Sequence, residues 1–208
     1  MTDQHSSAPP ATRGRTRMPA AQRRESILAA ATEVFADLGY ERGKTAVVAR
    51  RVGVSEPVIF QHFRTKAALF AAVLRRAGDH ACGFLDQLAA HPVPLREVLA
   101  RLLAPAHLEQ VHARGSLGAL FAEAATVTGE EEIDTAARET TQRMAAALAR
   151  LLDHGRTAGE LRADLDPEAA AWWLLSLVAS QNFRRTTAPD PARTETLVAE
   201  ATLTYLTG

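Results

Sequence analysis

The 208-residue chain is poor in several residue types, and each shortage excludes something. It has a single cysteine, Cys82, so no internal disulfide framework is available, and a reducing compartment suits it. Aromatic residues make up only 5% of the chain and β-branched residues are sparse, which disfavours strands. No apolar run is long enough to span a bilayer; the longest, residues 169–179, falls well short. The first 25 residues are polar and lack the apolar segment of a secretory signal. Net charge is also lacking, at zero overall. These absences predict a cytoplasmic chain that does not enter a membrane.

What is present is alanine, leucine and a hydrophobic content of 47%, enough for a packed helical interior. The zero net charge conceals a division. Residues 1–76 hold 13 Lys+Arg against 6 Asp+Glu, a balance of +7, and residues 77–208 carry the compensating −7. A basic head on an acidic body points to a nucleic acid or another anionic surface. A helical interaction module whose head meets acidic partners fits the same pattern.

Residues 1–17 are rich in Ser, Pro and Thr, without apolar periodicity, and read as a disordered tail made basic by Arg13, Arg15 and Arg17. From Arg23 onward Ile27, Ala31, Val34, Phe35 and Leu38 recur at helical spacing, and Gly39 marks a stop. Helices are predicted next over 45–52, 57–63 and 65–90, with Thr65 as an N-cap. After the break at His91-Pro92-Val93-Pro94, further helices are predicted from Leu95 and over 107–127. Thr128-Gly129-Glu130-Glu131 has capping-box spacing and opens another to about Gly155. Asp166-Pro167 and Asp190-Pro191 each place a cap before a proline in the first turn, opening helices to about Arg185 and Leu206. The fold class is therefore all-α, with about nine helices and no convincing strand.

The stretch GYERGKT, residues 39–45, ends like a phosphate-binding P-loop. That motif needs four residues between its glycines and a preceding strand. Here three residues separate Gly39 from Gly43, and the preceding segment has helical periodicity. The stretch reads as a helix stop and a turn, and a nucleotide-binding helical enzyme or switch using Gly43-Lys44-Thr45 stands as the alternative. The next segment has the form of a helix-turn-helix: small Ala49 at the crossing, Gly53 at the turn, Val54 beneath it and Ser55 as a cap. Ile59 and Phe63, four apart, are expected to face inward.

Gly39-Tyr40, Ala49, Gly53-Val54-Ser55, Val58-Ile59-Phe60-Gln61-His62-Phe63 and Thr65-Lys66 together resemble the DNA-binding domain of TetR-family transcriptional repressors over about residues 23–75. Two departures stand out. Gly43-Lys44 replaces the usual threonine pair, with Thr45 where a valine is common, and Phe60 replaces a tyrosine. The resemblance implies a three-helix head over 18–66 and a helical effector-binding and dimerisation body over 67–208. It implies a ligand-responsive repressor that binds a near-palindromic operator in double-stranded DNA as a homodimer and is released by a small molecule. Glu56, Pro57, Val58, Phe60 and Gln61 are then the base readers, Glu56 accepting from a cytosine amino group and the apolar members meeting thymine methyls. Lys44, Thr45, His62 and Lys66 are the phosphate contacts.

Residues 169–179 are apolar on both faces, as a helix buried on both sides should be. Trp172, Leu175, Ala179 and Phe183 are expected on one side and Trp173, Leu174, Leu177 and Gln181 on the other. With Leu197, Ala201 and Tyr205, the second set is expected to form a four-helix dimer interface. An effector pocket is expected among His107, Phe121, Glu123, Met144 and Trp172. The histidines lack metal-ligand spacing and no nucleophile set is legible, so no metal, no cofactor and no enzymatic activity are expected.

Overall fold

The computed structural model describes residues 19–90 and 94–208. The tail expected over 1–17, with its three arginines, lies outside the described residues, as does most of the break at 91–94. Among the described residues there are eleven helices and no strand. The head holds α1 (Ala20–Arg42), α2 (Thr45–Val52) and α3 (Glu56–His62). The body continues with α4 (Lys66–Ala90), α5 (Leu95–Leu103), α6 (Pro105–His112), α7 (Leu117–Ala124), α8 (Glu131–Thr157), α9 (Pro167–Ala179), α10 (Gln181–Thr187) and α11 (Pro191–Thr207).

The two helices beyond the expected nine come from two interruptions. Gly115 donates its amide to Ala36 O at 3.0 Å, which pins a turn between α6 and α7, and Ser116 then caps α7 by accepting from Ala119 N at 3.1 Å. Ser180 breaks the helix between α9 and α10; its hydroxyl donates back to Ser176 O at 2.7 Å. Caps at Thr65, Asp166 and Asp190 form as the residue types require. Two others do not. Ser55 takes the extended conformation of an N-cap, but its hydroxyl caps nothing. The box at Thr128 is not made either, and α8 starts after Glu130 without a side-chain cap.

Two apolar cores organise the chain. The first gathers Ile27, Ala31, Val34 and Phe35 of α1, Val48 and Ala49 of α2, Ile59 and Phe63 around α3, and Leu69, Phe70, Val73 and Leu74 of α4. Leu120 and Ala124 of α7 and Ile133 and Ala136 of α8 close it from the body side. The second lies among α5, the end of α8, α9 and α11, around Leu99, Leu103, Leu151, Leu152, Ala171, Leu174 and Leu206. The long helices α4 and α8 join the two. They run in the same direction, because Arg75 pairs with Glu139, Asp79 with Arg143 and Asp86 with Arg150, two of these pairs at 3.3 and 3.0 Å and all at a constant separation of 64 positions. These pairs are exposed and contribute little to stability, but they report the register.

Candidate nucleic-acid interface

The local sequence of α2 and α3 dictates a tightly turned pair. Gly53 ends α2 in the left-handed region at φ 74°, where a side chain would be strained, and Val54 N closes the turn onto Ala49 O at 3.0 Å. Ser55 then leads Pro57 into the first turn of α3, where a missing N–H costs nothing. Ile59 is fully buried and Phe63 nearly so, with the Arg24 guanidinium 4.7 Å above the Phe63 ring. These anchors fix which face of α3 looks outward.

That outward face carries Pro57, Phe60 and Gln61, with Glu56, Val58 and His62 half-buried at its edges. Phe60 is 42% exposed, a large ring left in water on a helix that buries its neighbour completely. Beside it a groove of about 620 Å³ runs between the start of α1 and α3, lined by Pro19, Arg23, Ser55, Val58, Gln61 and His62. Lys44, Arg50 and Arg64 are exposed around the same end of the molecule.

The GYERGKT stretch has no room for a phosphate. Gly43 N donates to Gly39 O at 3.0 Å and Lys44 N to Arg42 O at 2.9 Å, so the amides a P-loop would aim at phosphate are already engaged. A helix, not a strand, precedes them. Gly43 itself is buried, and a Cβ there would lie 2.5 Å from the Phe35 ring. The nucleotide-switch alternative fails on this geometry.

The segment 27–73 matches the family model described as bacterial regulatory proteins, tetR family. Over that segment the chain carries a TetR-family DNA-binding unit. Among relatives, the HTH-type transcriptional activator FasR of Mycolicibacterium smegmatis is 47% identical over 64 residues, 31% of this chain, but the match spans only 29% of that relative. The HTH-type transcriptional repressor Rv1474c of Mycobacterium tuberculosis is 25% identical over 83% of this chain and 87% of its own length. Among solved structures, the FadR regulator of Bacillus subtilis in complex with stearoyl-CoA superposes with a TM-score of 0.65, at 18% identity, over 88% of this chain and 98% of that one. The head is thus a TetR-family helix-turn-helix segment on an all-helical body, and no helix among the described residues is long and apolar enough to cross a membrane.

Several residues expected at the sites have other work. Thr45 is only 7% exposed, and its hydroxyl donates to the Glu56 carboxylate rather than facing outward. Lys66 places its ammonium 4.3 Å over the Tyr40 ring and donates to Glu41 O at 3.1 Å. The five pocket candidates do not converge. Trp172 lines a groove of about 520 Å³ with Gln142, Ala145, Ala149, Arg150 and Glu168. His107, Phe121 and Met144 are half-buried on α6, α7 and α8. Glu123 accepts the Tyr40 backbone N–H at 2.8 Å, so it braces the head against the body. Burial and the Glu130 carboxylate, which accepts the Tyr40 hydroxyl at 3.2 Å, push the Tyr40 phenol up to about 12. Burial also raises the Cys82 thiol, with Arg143 opposing, so the thiolate an oxidant sensor needs is disfavoured.

At the far end, Trp173, Leu197 and Tyr205 are exposed on α9 and α11, with Trp173 52% exposed and its ring 6.5 Å from that of Tyr205. Ala201 is exposed beside them and Leu177 is half-buried. Leu174 and Gln181 depart from the expected interface. Leu174 is buried in the second core, and Gln181 is only 1% exposed. The reason is size. Ala170 and Ala171 let α9 approach α8 closely, so the small residues turn inward, carry Leu174 with them, and leave both tryptophans outside.

Proposed function

We propose that the chain is a ligand-responsive transcriptional repressor that binds a near-palindromic operator as a homodimer and is released by a small molecule taken up in the body. The observation that carries the reading is the presentation of α3: Ile59 and Phe63 bolt it to the first core while Pro57, Phe60 and Gln61 face water. A helix held this way fits the major groove. Glu56, Pro57, Val58, Phe60 and Gln61 are its readers, and Lys44 and His62 hold phosphates.

One such helix makes too few contacts to specify an operator, and two-fold pairing supplies a second half-site one helical turn away. The exposed aromatic face of α9 and α11 is the surface proposed for that pairing, since clustered exposed tryptophan and tyrosine rings favour burial against a second copy. The effector is proposed to enter the body, where Trp172 lines the groove between α8 and the start of α9. Displacement of α7 would pull on the Glu123 brace and change the spacing of the two recognition helices. A hundredfold loss of operator affinity needs only about 2.7 kcal/mol of such coupling. A repressor relative that aligns over most of its length supports the direction of regulation.

Selection of bound fragments from a randomised duplex library tests the reading. The expected product is an inverted repeat whose half-site centres lie about one helical turn apart. Recovery of no preferred sequence, or of a single unpaired half-site, would overturn it.

A further inference from the structure

The hydroxyl of Thr45 and the carboxylate of Glu56 form a hydrogen bond that ties the first residue of α2 to the first residue of α3. Thr45 is almost fully buried, whereas Glu56 is half-buried at the edge of the outward face of α3. A carboxylate at this position has a difficulty. It hangs on three rotatable bonds beside a polyanion, and phosphate repulsion favours swinging it away from DNA. The Thr45 hydroxyl, donating to Glu56 Oε1, removes that freedom.

We infer that Thr45 is a positioning residue for sequence recognition: it holds the Glu56 carboxylate in the major groove as a fixed acceptor, and the pair selects cytosine at one position of each half-site. This deepens the operator-binding reading above and rests on it. The choice of base comes from the chemistry. An ionised carboxylate only accepts hydrogen bonds. Guanine and thymine present acceptors on their major-groove edges, and these repel it. Adenine offers its amino group beside the N7 acceptor, which also faces the carboxylate. Cytosine offers its N4 amino group with no acceptor alongside. With Oε1 engaged by Thr45, Oε2 is the atom left to accept a hydrogen bond from that amino group. The phosphate contact expected of Thr45 falls instead to its exposed neighbour Lys44.

The test compares the full-length wild type with Thr45→Val, Thr45→Ser and Glu56→Gln by selection from one randomised duplex library. Binding is then measured over a salt series, and thermal unfolding confirms that each variant is folded. The wild type is expected to prefer cytosine at one position per half-site by about tenfold. Thr45→Val should flatten that position by several-fold and leave the other positions and the salt slope unchanged, and Thr45→Ser should restore it. Glu56→Gln should move the preference to adenine, the base that a carboxamide pairs with through two hydrogen bonds. A Thr45→Val protein that binds all sequences more weakly to the same extent, with the cytosine preference intact, would make Thr45 a phosphate contact and overturn the inference. An unchanged profile would overturn it equally. Should Thr45→Val not fold, Glu56→Gln and Thr45→Ser carry the test: no change at any base with Glu56→Gln, or a flattened position with Thr45→Ser, ends it. A wild type that selects no duplex at all brings down the parent reading rather than this residue's role alone.

Discussion

Replacing Gly39 by alanine strikes the joint between head and body. Gly39 bends the end of α1 with φ 75° and ψ 174°, a conformation essentially confined to glycine. Holding alanine there costs about 1–3 kcal/mol in backbone strain alone. The new Cβ would also stand 2.7 Å from Glu123 Oε1 and 3.0 Å from both its Cδ and Oε2, so the carboxylate must withdraw. Withdrawal strips the Tyr40 N–H of its acceptor at 2.8 Å, a further loss of about 1–2 kcal/mol for a part-buried amide. The expected total for Gly39→Ala is about 2–5 kcal/mol, against about 1.5 kcal/mol for Glu123→Ala alone. The double variant should cost little more than Gly39→Ala, because the hydrogen bond is lost only once; the pair should therefore couple by about 1.5 kcal/mol. Urea denaturation of the four proteins at one protomer concentration measures this, the concentration being fixed because assembly shifts apparent stability. Strictly additive effects, or a Gly39→Ala protein within about 1 kcal/mol of wild type, would refute the picture of Glu123 seated over a glycine bend.

Two other outcomes arise from buried charge and buried phenol. Arg184 donates to both Glu195 oxygens, at 2.7 and 3.0 Å, with the two side chains only 13% and 5% exposed. Arg184→Met should therefore cost about 3–5 kcal/mol by stranding the carboxylate, whereas Arg184→Met/Glu195→Leu should lie within about 1 kcal/mol of wild type in the same denaturation assay. In a Tyr205→Phe background Tyr40 is the remaining tyrosine, and its tyrosinate absorbance should appear near pH 12 rather than near 10. Its folded pKa lies above the unfolded one, so the stability it contributes is complete below pH 10 and is lost as pH climbs towards 12. A midpoint near 10 would contradict the burial and the Glu130 contact.

The sequence made legible those features whose causes are local. Asp-Pro pairs at 166–167 and 190–191 open helices because an aspartate oxygen two or three residues upstream finds the first amides. Gly53 turns the head because only glycine sits easily at that φ. Ile59 and Phe63 face inward because four-residue spacing puts them on one stripe. What escaped depended on partners far along the chain. The break between α6 and α7 is set by a bond from Gly115 to Ala36, and the role of Glu123 by an amide 83 positions away. Leu174 and Gln181 depart from expectation because a helix apolar all round gives periodicity no face to choose; close packing of alanines decides instead. Pro57, Phe60 and Gln61 face water because Ile59 and Phe63 take the inner stripe, but the Thr45–Glu56 bond was not legible, since neither residue type announces the other.

The parallel pair α4 and α8 carries a consequence for anyone who would recombine such proteins. Each rod is rooted at one end among the reader's apolar side chains and at the other among those of the body, with Leu69 to Leu74 and Ile133 to Ala136 at one end, and Leu85 to Ala89 and Leu148 to Leu152 at the other. A chimera spliced at residue 66 would take the reader away from its own floor, including Leu120 and Ala124 of α7. Grafting this reader onto a foreign sensor therefore means transplanting residues 67–77 and 120–136 with it, or redesigning the foreign surface to mimic them.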